Sequence, residues 1–423
     1  MKRVYYGWWV TGVCFLFVGA RRGSETAYGV LLVALAYEFG WERAAITGAF
    51  SLAMLVAGFL SPLAGKCLDR FDPRLPFGIG VLALGVSALA LAAMSSLLHL
   101  YLIMAGLFSL ALALLELGTL SAYLARWFVR RRALAFGLSQ AGQGLGIFVL
   151  TPLVGWLITV TGWRTGYALL GCGLLLLLPL NLLVLRATPQ SLGLRPDGAM
   201  PPTAPPTGSR QRPAADVMAG TWTLAEARRT RVFWALLLCF CFFPASNQVF
   251  HIHLVAHLTD LGLHKVAAAF VLSLAGLSSI PGRLLFGVLS DRYGGIVATQ
   301  LSFGLSVLSV VLIMLPQATS AWVLYPFAMV FGLSLGSRGV TLGALTANTF
   351  PGREFGAIYG WITSGQLIGG ALGPWLAGLV FDRTGSYQLA FYGCIAGFVC
   401  SALLVGIAAL GMKHPALAPS QRR

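Results

Sequence analysis

Long apolar runs separated by short polar turns make up most of this chain. A helix needs about 20 apolar residues to cross a hydrocarbon layer of roughly 30 Å, and each run reaches that length. The runs are too long and too evenly apolar for barrel strands, which alternate over about 10 residues. The pattern therefore predicts an all-α membrane protein with twelve transmembrane helices, at about 7–36, 44–66, 75–96, 99–125, 133–158, 165–185, 232–259, 264–290, 296–316, 320–349, 355–381 and 388–411.

One polar segment, residues 187–230, is far longer than the other turns. It contains seven prolines among Gly, Ser and Arg, and such a composition cannot bury a core. Near its end, Thr223 and Glu226 have the spacing of a capping box and indicate a short surface helix; a structureless linker throughout is the alternative. We expect a six-helix bundle at 1–186, a linker at 187–230 and a second six-helix bundle at 231–423.

The two predicted bundles repeat each other. Asp69-Arg70 follows the second run, and Asp291-Arg292 follows the eighth run in the same way. Glycines of the fifth run recur in the eleventh run at one constant offset, which nearly equals that of the Asp-Arg pairs: Gly142 and Gly365, Gly146 and Gly369, Gly155 and Gly378. Six helices repeated at nearly constant spacing are typical of two related bundles around a central cavity.

The composition agrees with a membrane location. The chain is 57% hydrophobic and 10% charged, whereas soluble domains carry about 25% charged residues. A net charge of +16 would suit nucleic acid, but 21 of the 29 Lys and Arg fall on one side of the predicted membrane, four on the other and four within it. This positive-inside bias orients the chain. We therefore expect both termini and the linker in the cytoplasm, and no nucleic-acid partner.

Arg283 lies deep inside the eighth predicted helix. It precedes Asp291 by eight positions, about 12 Å of helix at 1.5 Å per residue. An ionisable group at that depth costs at least about 2.5–3.5 kcal/mol and normally faces a bundle interior or a watery cavity. A guanidinium binds carboxylates through a bidentate fork, so Arg283 indicates an anion site; a buried ion pair between helices is the alternative.

Three more arginines are substrate-binding candidates: Arg21 and Arg22 in the first run and Arg338 in the tenth. Adjacent helical positions point about 100° apart, so we expect at most one of Arg21 and Arg22 to face the cavity squarely. The other is expected to pair or to snorkel. The glycines beside Arg338 leave room either for a ligand or for close helix contact.

Glu25 and Glu116 are the acidic residues inside the predicted spans. Glu25 follows Arg21 by four positions and Arg22 by three, which favours an intrahelical ion pair. Glu116 has no charged neighbour within a turn of its own helix, so we expect a desolvated carboxyl that favours its protonated form. Glu116 is therefore the better proton-coupling candidate, with Glu25 and His251 as the others.

The seventh run carries several polar residues. Asn247 and His251 share one helix face, as do His253 and His257. A His pair at this spacing can bind a metal, but no third ligand is evident, and we predict no metal site and no cofactor. A pH-sensitive outer gate near Asp260 is the favoured alternative.

The chain resembles the major facilitator superfamily over its whole length. Residues 65–74 (GKCLDRFDPR) resemble that superfamily's loop between helices 2 and 3, and 287–294 (GVLSDRYG) resemble its counterpart between helices 8 and 9. Three stretches are similar to monocarboxylate transporters and the bacterial oxalate/formate exchanger group: 6–9 (YGWW), 126–138 (RWFVRRRALAFGL) and Gly282-Arg283.

The resemblance implies a cavity lined by helices 1, 4, 7, 8, 10 and 11, with Arg283 binding the substrate carboxylate. Some positions depart from the pattern. The aspartate one turn before the helix 8 arginine is Ser279 here, the helix 1 lysine corresponds to Thr26, and the exchanger's helix 11 lysine aligns with Gln366. The first two departures bear on a proton relay and the third on a clamp for dicarboxylates.

Taken together, these observations predict secondary active transport of a small organic anion, a monocarboxylate such as lactate or pyruvate, with proton coupling. Exchange or efflux without a proton, and a carboxylate sensor that does not transport, are alternatives. We expect no enzymatic activity and a monomer in the bacterial inner membrane. The substrate site would comprise Arg283, Arg338, Arg21, Arg22, Asn247, Gln366 and Tyr359, and the cytoplasmic charge latches Asp69, Arg70, Arg74, Asp291 and Arg292.

Overall fold

The computed structural model describes residues 5–129, 131–196, 222–350 and 354–413. These residues form twelve long helices, and no β-strand occurs among them. A 3₁₀ turn at Pro189–Leu192 and a short helix at Leu224–Ala227 lie between α6 and α7 of the following series. The helices are α1 (Gly7–Phe39), α2 (Arg43–Arg70), α3 (Arg74–Ala92), α4 (Leu97–Leu124), α5 (Arg132–Thr161), α6 (Trp163–Val184), α7 (Arg231–Asp260), α8 (Lys265–Tyr293), α9 (Gly295–Ile313), α10 (Ala321–Thr349), α11 (Phe355–Thr384) and α12 (Gln388–Lys413).

Consecutive helices run in opposite directions, so the protein has two ends. We call the end where α1 begins and α12 finishes the terminal face, and the end where α1 finishes and α2 begins the distal face. Gly40 ends α1 and Gly385 ends α11 with φ values of 66° and 68°, which glycine adopts without a Cβ clash. Ser96 Oγ accepts the backbone N–H of His99 and thereby caps the start of α4.

Nine of the helices are long and apolar enough to cross a membrane by length and composition, within the described residues. The other three long helices carry polar groups within their apolar runs: α1 carries Arg21, Arg22 and Glu25, α10 carries Arg338, and α11 carries Gln366. Each of the three packs along a neighbour, α1 on α5, α10 on α8 and α11 on α7.

Helix α4 departs from the continuous helix predicted at 99–125. Met104–Phe108 form a π-helical turn, and the helix is interrupted before its last segment, Leu117–Leu124. Glu116 has φ −64° and ψ 146°, an extended conformation at the cap of that segment. Since neither Leu115 nor Glu116 is a strong helix breaker, the apolar pattern contains no sign of the interruption.

The repeat predicted from the glycines is present as repeated helix contacts. In the first bundle, Gly146 of α5 lies against the backbone of Gly19 in α1. In the second bundle, Gly369 of α11 lies in the same way against the backbone of Cys241 in α7. Because a side chain at either glycine would overlap a backbone carbonyl, these positions bring the helix axes close together.

The two bundles touch along α2 with α11 and along α5 with α8. Ser51 Oγ of α2 donates to the Ala371 carbonyl of α11 at 2.5 Å. Ser273 Oγ of α8 donates to the Ala269 carbonyl of its own helix at 2.9 Å and lies 3.5 Å from the Ile147 carbonyl of α5. The two serines are separated along the chain by the same offset as the two Asp-Arg pairs, so the contacts between bundles follow the same repeat as the bundles themselves.

The predicted linker at 187–230 falls largely outside the described part of the chain. Where it re-enters, Thr223 Oγ1 accepts the N–H of Glu226, and the Glu226 carboxylate accepts the N–H of Thr223. The predicted capping box is therefore confirmed. Residues 197–221 lie outside the described residues.

We predict that Gly146→Ala destabilises the protein, because the new Cβ would meet the Gly19 backbone, which cannot move aside as a flexible side chain can. Overpacking of this kind typically costs about 1–3 kcal/mol. The thermal unfolding midpoint of the purified protein in detergent is the measurement.

Gly137→Ala on the same helix is the matched control, since nothing lies within 4 Å of a Cβ there. Alanine is the better helix former by about 1 kcal/mol, so this variant should be neutral or slightly stabilised. Equal losses of stability in the two variants would contradict the packing argument.

Candidate functional site

Four charged side chains form a network between α1 and α4. Arg21 Nη2 lies 3.0 Å from Glu116 Oε2 and 3.1 Å from Glu25 Oε1. Arg22 Nη1 forms a further ion pair with Glu25 Oε2. Both arginine side chains are only slightly exposed, and burial makes unpaired charges costly. The two guanidiniums and two carboxylates therefore neutralise one another.

The structure separates the two acidic candidates. Glu25 is 1% exposed and pairs with both arginines of its own helix, which confirms the predicted intrahelical pair. Glu116 has no charged neighbour within a turn of its own helix, as predicted, but the expectation that its carboxyl is desolvated is wrong. Its side chain is 38% exposed and is paired with Arg21 from another helix. Spacing along one helix cannot reveal a partner 95 residues away.

The adjacent arginines share one carboxylate. At most one of Arg21 and Arg22 is predicted to face the cavity squarely, and in the structure both are exposed to the same small extent and both pair with Glu25. Their flexible side chains converge on one carboxylate although their Cα positions diverge.

Arg283 is bound differently. It lies ten residues before the terminal-face end of α8, about 15 Å along the helix. Its Nη1 donates to the backbone carbonyl of Gln140 in α5 at 2.8 Å, and no carboxylate pairs with it among the described side chains. The half-buried guanidinium is close enough to Arg22 for their positive charges to repel each other. Within the described structure, Arg283 is therefore a cation at the junction of the two bundles that is not neutralised.

Close packing against α10 fixes the backbone at this cation. A Cβ on Gly336 would overlap the Ser279 carbonyl and lie 3.0 Å from the Arg283 backbone nitrogen. Gly282 lies similarly close to the backbone of Leu333. Since α10 occupies that side of α8, the Arg283 side chain extends toward the other bundle and reaches α5.

Arg338 occupies a different environment, inside the second bundle. It is 3% exposed and donates to Asn247 Oδ1 of α7 at 3.0 Å and to Ser306 Oγ of α9. Its guanidinium carbon lies 5.0 Å from the ring centre of Phe398 and 5.7 Å from that of Phe303. Aromatic faces and neutral oxygens thus stabilise this charge. The structure does not bring Arg338 into the cluster around Arg283.

The other predicted substrate residues are dispersed. Asn247 bonds both Arg338 and, at 3.3 Å, His251 Nε2, so these residues belong to the buried Arg338 environment. His251 is 1% exposed, and its Nδ1 has no hydrogen-bond partner among the described residues. Gln366 is exposed on α11, and Tyr359 is half-buried with an edge contact to an aromatic ring of α7.

The predicted latch residues lie at the terminal face and make contacts within their own bundle where they are described. Asp69 pairs with Arg126 at 3.2 Å, and Arg74 Nε donates to the Leu185 carbonyl at 2.7 Å. Arg70 and Arg292 lie beside the aromatic rings of their chain neighbours, Phe71 and Tyr293. The side chain of Asp291 lies outside the described part of the structure.

A polar cluster at the distal face joins the two bundles, and the sequence analysis missed it. Arg43 of α2 forms two hydrogen bonds of 2.7 Å with Asp260 of α7. Backbone N–H groups at the start of α2 bond Asp382 of α11. From the sequence alone, Arg43 is one of the four basic residues on the less basic side of the predicted membrane. The sequence does contain a signal for this cluster: Asp260 and Asp382 directly follow the seventh and eleventh predicted helices, at the same face as Arg43.

The predicted outer histidines lie beside this cluster. His253 is fully buried, with Nδ1 2.8 Å from the Tyr387 hydroxyl and Nε2 2.8 Å from the Pro374 carbonyl. His257 packs edge-on against the ring of Phe391. Both ring nitrogens of His253 are therefore engaged in hydrogen bonds rather than open to a metal ion.

A separate apolar groove of about 330 Å³ lies between α1, α5 and α6. Leucines, valine and glycines line most of it, and none of the charged groups above contributes. Such a surface suits hydrocarbon rather than an anion, so the charged junction between the bundles is the candidate site.

The chain matches known transporters over nearly its whole length. The family model described as the Major Facilitator Superfamily matches residues 14–374. The chain is 31% identical to monocarboxylate transporter 13 of Bos taurus over 387 residues, covering 91% of this chain and 85% of that protein. It is 30% identical to monocarboxylate transporter 11 of Mus musculus over 429 residues, covering 98% and 89%.

Solved structures agree on the fold. A bacterial homolog of the human lysosomal transporter Spinster, crystallised in an inward-facing and unoccupied conformation, superposes with a TM-score of 0.67 at 15% identity and 97% coverage of both chains. The helix arrangement, the family match and the related transporters lead to one conclusion. The chain belongs to the major facilitator superfamily of transporters and is related to its monocarboxylate transporters.

Proposed function

We propose that this protein is a secondary active transporter that carries a small organic anion with one carboxylate across a membrane by alternating access. The observation that supports this most is Arg283, a charged group at the junction of two bundles that donates to a backbone carbonyl and, among the described side chains, meets no carboxylate. A guanidinium at membrane depth that lacks an acidic partner is suited to binding an anion, unless aromatic rings and neutral oxygens surround it as they do Arg338.

The charge balance at the junction favours a monoanion. Arg21 and Arg22 are compensated by Glu25 and Glu116, which leaves Arg283 as the excess positive charge among the described residues there. A single carboxylate neutralises this excess, whereas a dicarboxylate would bring an unpaired negative charge into the same low-dielectric region. Lactate and pyruvate fit this charge requirement.

The basic residues give the proposed orientation. Among the described residues, most Lys and Arg at helix ends and in turns lie at the terminal face, which we assign to the cytoplasm by the positive-inside bias. The distal face is then external, and contacts between the bundles close it. The substrate site in this conformation would be reached from the cytoplasm. A bacterial inner membrane and a monomeric state stay predictions.

Glu116 is the proposed proton carrier. Its side chain is more exposed than that of Glu25 and has one guanidinium partner rather than two in the described structure. A carboxylate that meets water on one side and a single cation on the other can take up a proton when that cation moves toward the substrate. Protonation of Glu116 would release Arg21 and add one positive charge to the site.

Anion exchange without proton movement is the second candidate function. It is favoured by the pairing of both Glu25 and Glu116 with arginines, because neither carboxylate is without a compensating cation. Uptake that ignores an imposed pH gradient and requires internal counter-substrate would select exchange over symport.

We predict that Arg283→Gln abolishes saturable uptake of labelled lactate or pyruvate into proteoliposomes, because glutamine cannot neutralise the carboxylate. Charged hydrogen bonds contribute about 1.5–3 kcal/mol, so substrate affinity should fall about 10- to 150-fold. Substrate-dependent thermal stabilisation of the purified protein checks this independently of transport.

Lys265→Gln serves as the control, since it removes a positive charge from the start of the same helix. Its uptake should match that of the unaltered protein. Full uptake by Arg283→Gln, with normal folding, would remove this arginine from the proposed mechanism.

We predict that Glu116→Gln retains folding but loses the response of uptake to an imposed pH gradient, because the amide cannot bind the coupled proton. The measurement is initial uptake with and without an inward proton gradient. A gradient response equal to that of the unaltered protein would show that Glu116 does not carry the coupled proton.

The comparison variant is Glu25→Gln, which leaves two buried guanidiniums without their shared partner. Breaking a buried pair costs about 3–5 kcal/mol, so this variant should show a lowered thermal midpoint rather than a selective loss of pH response. The two variants therefore separate a coupling role from a structural one.

A further inference from the structure

One arginine at the start of α2 connects three helices at the distal face. Arg43 Nη1 and Nη2 each donate to the Asp260 carboxylate at 2.7 Å, and Nη1 also donates to the Tyr387 hydroxyl at 2.7 Å. Its guanidinium carbon lies 3.8 Å from the ring centre of Phe381. Arg43 belongs to the first bundle and all three partners belong to the second or to its α11–α12 turn. These contacts therefore tie the bundles together.

Asp382 adds a second tie at the same place. Its Oδ1 accepts the backbone N–H of Arg43 at 2.9 Å, and its Oδ2 accepts that of Ala44 at 2.7 Å. These are the first N–H groups of α2, which lack partners within their own helix. The capping residue Glu42 makes no side-chain cap bond there. A carboxylate from the other bundle thus caps α2 and also meets the positive end of its dipole.

Buried residues of the second bundle support the contacts that Arg43 and Asp382 make between the bundles. The Tyr387 hydroxyl contacts His253 Nδ1 as well as Arg43, and the other His253 nitrogen contacts the Pro374 carbonyl. His253 therefore fixes the position of the Tyr387 hydroxyl, which accepts a hydrogen bond from Arg43. Separation of the bundles would break the contacts to Arg43 and leave the Tyr387–His253 contact intact within the second bundle.

We propose that Arg43, Asp260, Asp382 and Tyr387 form a distal lock that holds the external face closed and sets the balance between the inward-open and outward-open states. Every contact of Arg43 described above crosses between bundles, so the lock stabilises only the state in which the distal ends touch. A ligand or contact shifts a two-state equilibrium only by such a difference between states. The proposal uses the alternating-access cycle proposed above but does not depend on which anion is carried.

A second arginine on the same face offers a matched comparison. Arg164 of α6 lies 2.5 Å from the Glu38 carboxylate of α1 and stacks over the ring of Trp163 at 4.3 Å. Like Arg43, it combines a carboxylate with an aromatic face, but these partners belong to the first bundle. Opening the distal face would leave this pair unchanged.

The test measures the distance between the distal ends directly. Spin labels are placed at Tyr37, which is 90% exposed at the end of α1, and at Gln317, which is exposed between α9 and α10. The four accessible cysteines are first replaced by alanine: Cys67, Cys172, Cys241 and Cys400. Double electron–electron resonance on the full chain in nanodiscs, without substrate, gives the populations of short and long distances.

Arg43→Gln should raise the ratio of long to short distances by on the order of tenfold, within the range of typical coupling between conformational states. Asp260→Asn should shift it in the same direction. Arg164→Gln should leave the distribution unchanged. Thermal midpoints of all variants show whether each remains folded.

The charge-exchanged double variant R43D/D260R keeps the proposal testable if the single variants fold poorly. It should restore most of the short-distance population that each single variant loses. An unchanged distribution in a folded Arg43→Gln, or an equal shift in Arg164→Gln, would overturn the lock. Because the distances are measured without substrate, either result can be interpreted whether or not the proposed substrate site is correct.

Discussion

A guanidinium inside a hydrocarbon layer must be neutralised, solvated or surrounded by π-electron faces, and this constraint explains how the polar interior is arranged. Arg21 and Arg22 meet it with carboxylates. Arg338 meets it with aromatic rings and neutral oxygens. Arg283 meets it only in part, through one backbone carbonyl. The charges of Arg21, Arg22 and Arg338 are thus compensated without a ligand, whereas the charge of Arg283 is not.

Close backbone contacts at glycines occur both within and between the bundles. Within each bundle, Gly146 and Gly369 bring backbones together at positions where no side chain fits. Between bundles, Gly144 of α5 lies in the same way against the Gly276 carbonyl of α8. Small residues rather than interlocked large side chains thus form part of the surface across which the two bundles meet, and such a surface suits a rocking motion of one bundle against the other.

Much of the fold and part of the candidate site could be predicted from the sequence. The length of the apolar runs indicates the helices, a constant offset indicates the repeat, and helical spacing predicts the pairing of Glu25 with its own arginines. These features depend on positions close in sequence or on a regular period. The depth of Arg283 also follows from counting residues to the next turn.

The remaining features of the site depend on how each helix is rotated about its own axis and on contacts between helices that are distant in sequence. Nothing in the tenth run indicates that Arg338 points into the second bundle rather than toward the cavity. The partner of Glu116 depends on a break in α4 at a residue that does not usually break helices. Arg43 was assigned to chain orientation because its carboxylate partners belong to helices of the other bundle, far away along the chain. Spacing rules that work along one helix carry no information about such pairs.

The position of Arg283 connects binding to motion. In this conformation its guanidinium belongs to the second bundle and donates to the Gln140 carbonyl of the first. A carboxylate is the stronger acceptor, so under the proposed function an arriving anion would compete with that carbonyl for the same N–H groups. Occupancy of the proposed site would therefore weaken one contact between the bundles, and the substrate itself would change which arrangement of the bundles is stable.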